Sequence, residues 1–381
     1  MASHGKALEE ALGAVVDPTL GLPLAETGML RAVHARRRRI EIELALPSPA
    51  WPEGDRVAAD LGRAARAGGG AGEVDVTTSV MGEPEVATLR SALRRRMAGD
   101  EAAHGHAHVH EPGPPVQAFL QPGSTTRVIG VSSGKGGVGK SSVAVNLAIS
   151  LSRAGNRVGL LDADVYGFSV PTMLGGGAEP VVLGDLVIPT VVHGVRCLSM
   201  GYFVPEDQPV IWRGPMLHKA IEQFLGDCYW GEPDFLVVDT PPGTGDVTLS
   251  LAQVMPRAEV VVVTTPQPAA QRVAQRAAYA ARKLKLSVRG VIENMSWFTG
   301  DDGTRYRLFG EGGGAQLAAD LGVPLLGQVP LLPALREGGD EGRPITVTDP
   351  ESDASSAFAA LAERLVALGP ARVYRRELSL H

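Results

Sequence analysis

The octamer Gly134-Lys135-Gly136-Gly137-Val138-Gly139-Lys140-Ser141 constrains this chain more than any other stretch. It satisfies the pattern G-x-x-x-x-G-K-[ST], directly follows an apolar run ending at Ser132 and directly precedes an apolar helical stretch. It therefore reads as a loop joining a strand to a helix N-terminus. Glycines let successive backbone N–H groups curl around phosphate oxygens, and the helix end adds partial positive charge. Lys140 reaches the β/γ-phosphates, and the Ser141 hydroxyl can ligate Mg²⁺. The expected nucleotide contacts are Gly134, Lys135, Gly136, Gly137, Val138, Gly139, Lys140, Ser141 and the following Ser142, with Lys140 also catalytic.

The chain downstream repeats the strand and helix alternation. Apolar strand-length runs recur at 128–132, 157–161, 195–200, 235–238, 259–264, 287–292 and 324–329, with helical stretches at 141–154, 216–224 and 269–284 among them. Near-continuous apolar strands separated by helices predict an α/β domain over 127–370, a doubly wound, mostly parallel sheet covered on both faces. Residues 1–98 read as a second, small α/β domain, with helices at 6–16 and 55–67 and alternating strands at 39–46 and 73–80. Between them, 99–126 loses hydrophobic periodicity and reads as a His/Pro-rich linker. His104, His106, His108 and His110 share a direction on an extended chain, a spacing that suits weak Zn, Ni or Cu binding; a solvated tether is the simpler reading.

Composition narrows the function classes. The net charge of -6 supplies no global basic field, so neither nucleic acid nor an anionic membrane surface is an expected partner. No run of about 18 apolar residues predicts a membrane span, and the N-terminal residues lack a signal-peptide core, so a cytoplasmic protein is expected. The basic runs at 36–39 and 94–96 read as solvated faces or docking surfaces, and 371–378 is too short to argue for a membrane helix. The two cysteines, Cys197 and Cys228, cannot make a disulfide framework, nor a four-cysteine metal cluster within one chain. Both read as inert core thiols.

Three carboxylates stand where the chemistry of the loop needs them. Asp162 and Asp164 end the strand at 157–161, where a parallel sheet opens on its ligand crevice, so both can address Mg²⁺ and the attacking water. Asp162 is assigned to the metal and Asp164 to the water, as a catalytic residue. Asp239 ends the apolar run 235–238 in a Walker B arrangement, in which the carboxylate holds a metal-bound water. The turn after it, Thr240-Pro241-Pro242-Gly243-Thr244-Gly245-Asp246, is built to shift, with the Gly243 N–H placed to sense a γ-phosphate.

Lys135 is one of only six lysines, and a cation at that position of the loop resembles the deviant P-loop NTPase class of MinD, ParA and the nitrogenase iron proteins. That resemblance implies that Lys135 acts catalytically on the nucleotide of a partner subunit. More of the chain resembles the Mrp/ApbC family of P-loop ATPases, implicated in iron-sulfur cluster delivery. The likeness runs through Asp162-Ala163-Asp164-Val165-Tyr166-Gly167, Val210-Ile211-Trp212-Arg213-Gly214-Pro215-Met216, the 239–246 turn and Glu293-Asn294-Met295-Ser296. It implies a homodimeric, slow, Mg²⁺-dependent ATPase that carries iron-sulfur clusters to client apoproteins or assembly proteins, with Asn294 at the adenine and Pro330 beside it. The segment Val16-Asp17-Pro18-Thr19-Leu20-Gly21 resembles the small assembly domain often fused ahead of such ATPases. The family's common Cys-x-x-Cys pair after the Glu-Asn-Met segment is replaced here by Trp297-Phe298-Thr299-Gly300-Asp301-Asp302-Gly303-Thr304. A cluster-free, nucleotide-gated binding module therefore stands as the alternative. A positioning ATPase of the ParA/MinD type is disfavoured by the acidic charge.

Overall fold

The computed structural model describes residues 2–36, 39–69, 73–99, 117–121, 124–164, 167–176, 179–203, 214–243 and 246–371. The histidines at 104–110, residues 165–166, 210–213 and 244–245, and the stretch from 372 onward lie outside these. The chain divides into two compact units. The first comprises Met1–Ala118, Ala178–Val191 and Gly226–Gly231; the second comprises Phe119–Gly177, Val192–Leu225 and Glu232–His381.

In the first unit α1 (Ala2–Gly13) precedes β1 (Leu30–Arg36), β2 (Arg39–Leu46), α2 (Gly54–Gly69), β3 (Glu73–Val80) and α3 (Glu83–Ala98). Strand β2 is central, antiparallel to β1 and parallel to β3. Ile40, Ile42 and Leu44 point inward at period two and meet Val57, Leu61 and Ala65 of α2, which recur every fourth residue. The helix expected at 6–16 ends at Gly13, because Asp17 organises the chain that follows. Its Oδ1 accepts the Leu20 N–H at 2.7 Å and its Oδ2 the Trp51 indole N–H at 3.0 Å. Strand β1 and helix α3 were not expected. The helix shows only a narrow stripe, Leu89, Leu93 and Met97, and is started by the Glu85 side chain accepting the Gly82 N–H at 2.7 Å.

The first unit also draws in chain that the sequence pattern assigns to the C-terminal domain. The hairpin Val181–Leu183/Leu186–Ile188 and the segment 226–231 belong to it, and Leu183, Leu186, Ile188 and Tyr229 are buried in the same core as Leu89 and Leu93. Arg94 ties these pieces down. Its guanidinium donates to Asp227 Oδ1 at 3.1 and 3.2 Å and to Asp185 Oδ2 at 3.1 Å, and its side chain is only 14% exposed. The reading of 94–96 as a solvated face is therefore corrected at Arg94, which is a tie within the unit. Gln117 Nε2, at the described end of the expected linker, donates to the carbonyls of Gly226 and Cys228.

The second unit contains β4 (Arg127–Ser133), α4 (Lys140–Arg153), β5 (Val158–Asp162), β6 (Val195–Ser199), α5 (Gly214–Gly226), β7 (Phe235–Asp239), α6 (Asp246–Val254), β8 (Glu259–Thr264), α7 (Pro268–Lys283), β9 (Ser287–Glu293), α8 (Gly313–Leu321), β10 (Leu325–Gln328) and α9 (Asp353–Ala367). These strands run parallel in the order β6-β5-β7-β4-β8-β9-β10. The expected strands are all present, with ends moved by a residue or so; Met200, expected in a strand, opens a short 3₁₀ turn. Ile129, Val131, Val237 and Val261 pack into one core with Val143, Leu147 and Leu151 of α4 and Phe358 and Leu361 of α9. Gly130, pointing the other way, faces Leu251 of α6, so helices lie on both faces and the sheet is doubly wound. At the amino ends of β4 and β8, buried Arg127 pairs with Glu259 at 2.6 Å and donates to the Leu365 carbonyl, fastening the end of α9. Among the described residues no helix is long and apolar enough to cross a membrane.

Removing the Arg94 fork leaves Asp227 and the Asp185 carbonyl without their charged donor. Arg94→Ala is expected to cost about 1–2 kcal/mol, read as a lowered urea midpoint; an unchanged midpoint would mean that the hairpin is held by its apolar contacts alone.

Candidate nucleotide site

Parallel strands bring their carboxyl ends to one edge, and β7 lies between β5 and β4 there. In register, Asp239 of β7 stands abreast of Asp162 on β5 and of Val131 on β4. Two carboxylates side by side, both buried, repel each other unless a cation intervenes. That cation is Lys140, in the first turn of α4. Its Nζ pairs closely with Asp239 Oδ1, lies 3.5 Å from Asp164 Oδ2 and 3.4 Å from Ser141 Oγ, and is itself buried.

The three carboxylates are not equivalent. Asp162 has both oxygens engaged, accepting from the Ser199 hydroxyl at 2.9 Å and from the N–H groups of Asp164 at 3.2 Å and Val170 at 3.3 Å. Asp239 keeps Oδ2 buried and without a hydrogen-bond partner. Asp164 lines the cleft itself. Asp162 thus braces the loop after β5, while the oxygen left without a hydrogen bond belongs to Asp239. Burial and the facing Asp239 push the Asp162 carboxyl up to about 7. Burial also raises Asp239, against the pull of Lys140 and Ser141.

A cleft of about 210 Å³ opens beside this group, lined by Ser133, Lys135, Gly136, Gly137, Gly139, Lys140, Ser141, Ser142, Asp164, Met173 and Pro242. The loop's conformation explains its glycines. Gly137 and Gly139 have φ of 76° and 78°, in the left-handed region, and a Cβ at Gly134 would lie 2.2 Å from the Val273 carbonyl carbon of α7. Val138 is the loop's apolar anchor, buried in the core.

Several expected residues are engaged in ways their sequence position did not reveal. Asn294, just past β9, donates from Nδ2 to the Val138 carbonyl at 2.9 Å and so clamps the loop from behind, leaving Oδ1 buried and without a partner. The Gly243 N–H, expected to face a phosphate, donates instead to the Ser133 carbonyl at 2.8 Å, with φ at 100°. Lys135 Nζ lies 3.5 Å from Gln267 Oε1 at the start of α7. Ser142 Oγ is 4.0 Å from Met173 Sδ. Pro330 is buried just beyond β10, where the neighbouring Val329 carbonyl accepts the Ser296 N–H at 3.0 Å and the Leu331 N–H reaches the Trp297 carbonyl. Sequence reasoning missed Ser199 and Thr240, whose hydroxyl donates to the Val131 carbonyl at 2.9 Å. Ser199 could have been found from strand register, since it ends β6 opposite Asp162. The 297–306 stretch is an antiparallel hairpin, Phe298–Thr299 against Arg305–Tyr306, held by its own contacts: Arg305 lies 4.9 Å over the Trp297 ring, and Thr304 donates twice to Asp302.

With this geometry established, comparison with known proteins is decisive. Residues 124–366 match the family described as NUBPL iron-transfer P-loop NTPase. The chain belongs to that family. Residues 6–78 match a second family, described as iron-sulfur cluster assembly protein. Full-length relatives of this NTPase include proteins named iron-sulfur cluster carrier protein. That of Mycobacterium leprae is 42% identical over 94% of this chain and 92% of its own length, and that of Deinococcus radiodurans 42% over 94% of each. Among solved structures, a nucleotide-binding protein of Archaeoglobus fulgidus in complex with ADP superimposes with a TM-score of 0.52 at 34% identity, covering 61% of this chain and 91% of that one. The cell division ATPase MinD of Pyrococcus furiosus superimposes with a TM-score of 0.50 at 26% identity, covering 64% and 99%. The NUBPL-type NTPase thus has the α/β fold of the MinD class.

A carboxyl whose folded pKa lies above its unfolded value binds its proton more tightly in the folded state, so stability falls as pH rises from the unfolded value towards the folded one. For ligand-free protein the Asp162 contribution is expected to decline between about pH 4 and pH 7 and then level off. Asp162→Asn should flatten that part of a urea-midpoint profile; an unchanged slope would assign it to other groups.

Proposed function

We propose that this chain is a slow, Mg²⁺-dependent ATPase that works as a homodimer in the cytoplasm and delivers iron-sulfur clusters to apoproteins or other assembly proteins. The observation that carries the reading is the group of buried Lys140, Asp239 and Asp164 with half-buried Ser141 beside the cleft lined by the glycine loop. The relatives named iron-sulfur cluster carrier protein support the delivery role. The match of 6–78 supports reading the N-terminal domain, 1–98 with the tether 99–126 behind it, as the part that meets clients.

The loop N–H groups from Gly134 to Ser142 would receive the phosphates, and the charge entering there competes with Asp239 for Lys140. Mg²⁺ suits a place with few carboxylates, because it keeps several waters and takes phosphate oxygens as ligands. Among the described residues no three His, Cys, Asp or Glu side chains form a metal-holding group, but the orphaned Asp239 Oδ2 beside Ser141 Oγ meets the lesser need, with Asp162 bracing from behind. When bound there, Mg²⁺ supplies charge against the β- and γ-phosphate oxygens. Asp164, facing the cleft, orients the attacking water. The Gly243 amide must leave Ser133 to reach a γ-phosphate, which makes its hydrogen bond a two-position switch. The Asn294 Oδ1, an acceptor only, suits the amino edge of adenine, with Pro330 beside it.

Lys140→Ala is expected to lower ATP turnover by about 100-fold or more; turnover equal to wild type would place the chemistry elsewhere. If Lys135 serves the partner's nucleotide, mixing the inactive variants Lys135→Ala and Lys140→Ala should restore part of the activity, since one site of each mixed dimer is then complete. Mixtures with no more activity than their components would confine Lys135 to its own subunit.

A further inference from the structure

We infer that the cluster cargo is ligated by thiolates of a partner and not by thiolates of this chain, which contributes nucleotide-gated recognition instead. The inference rests on the delivery reading above and concerns where the iron sits during delivery. Iron-sulfur clusters are held by cysteine thiolates, typically four, which must be deprotonated and able to reach the iron.

The chain has two cysteines, and both are described. Cys197 is the middle residue of β6, at 0% exposure, packed in the core with Val158, Leu160 and Phe235. Burial, with a further push from Asp162, raises its thiol well above the ordinary value, so the thiolate is disfavoured where it stands. Cys228 is also 0% exposed and belongs to the other compact unit, where Val187 bridges to it and its carbonyl accepts from Gln117. A second copy of the chain would double the number of thiols without exposing either. The stretch where the resembled family commonly has its Cys-x-x-Cys pair is here the cysteine-free 297–306 hairpin, closed by Arg305 over Trp297 and by Asp302 with Thr304. Among the described residues, no three His, Cys, Asp or Glu side chains substitute for the missing sulfurs.

Passing a cluster between two thiol-bearing proteins needs no oxidant or reductant. Each new iron–thiolate bond to the acceptor replaces one to the donor, and the proton of the incoming thiol leaves on the outgoing thiolate. The chain can promote this exchange by holding donor and acceptor together in one nucleotide state, with no thiolate of its own on the iron.

The test uses the full chain under anaerobic conditions. After incubation with ferrous iron and sulfide and then desalting, iron, acid-labile sulfide and visible absorbance are measured on wild type and on Cys197→Ala/Cys228→Ala. The expected result is no stoichiometric iron and sulfide on wild type. Alkylation of the native thiols should also be at least about ten-fold slower than after denaturation. A stoichiometric cluster on wild type overturns the inference whether or not the cysteine variant keeps it, and because wild type decides, misfolding of the variant does not matter. In a parallel arm, a glutathione-ligated [2Fe–2S] cluster is the donor and an apo-ferredoxin the acceptor. Acceleration of transfer by the chain with MgATP supports delivery from a partner's thiolates. Absence of acceleration removes the delivery reading, while the iron count still decides who ligates the cluster.

Discussion

The buried ammonium of Lys140 is the charge on which the site depends. Parallel pairing puts Asp162 and Asp239 abreast on adjacent strands, both fully buried, an arrangement that is stable only if a cation stands close or a carboxyl keeps its proton. The chain uses both devices, with Lys140 against Asp239 and a raised carboxyl at Asp162. The glycine loop delivers that lysine by turning through left-handed conformations at Gly137 and Gly139. Asn294 fixes the loop's rear by taking hold of the Val138 carbonyl. Sheet order, loop geometry and electrostatics therefore meet at one nitrogen atom.

The same arrangement explains how nucleotide can be felt beyond the cleft. On the proposed reading, three contacts would yield to a phosphate: Lys140 with Asp239, the Gly243 N–H with the Ser133 carbonyl, and Lys135 with Gln267. A ligand that binds better to the rearranged state shifts the equilibrium by that difference in affinity.

Much of the second unit could be read directly from the chain, because fully buried parallel strands are written as unbroken apolar runs and the phosphate loop has few physical alternatives. The places of Lys140, Ser141, Asp164 and Asp239 were legible for the same reason: the first two follow from the junction of loop and helix, the last two from strand ends. What was hidden depended on partners distant in sequence. Strand β1 lacks clean alternation and is a strand because β2 offers it a ladder. Helix α3 hides its stripe among arginines, and Arg94, which looks like surface charge, finds Asp227, 133 positions further along, only once the intervening chain has folded back. The engagement of Gly243 with Ser133 and of Asn294 with Val138 are likewise facts of tertiary geometry, invisible to spacing.

The first unit is assembled from three separated lengths of chain, the last ending at Gly231. A ribosome makes chain in one direction, so the unit's core lacks Leu183, Leu186, Ile188 and Tyr229 until well after the phosphate loop and helix α4 have emerged. Domains usually complete themselves from the N-terminus onward during synthesis. Here the order is interleaved, and the first unit is completed after the phosphate loop and helix α4 but before β7 and its Asp239. A cut within 99–126 therefore would not release the first unit whole, because Leu183, Leu186, Ile188 and Tyr229 of its core would stay with the other fragment.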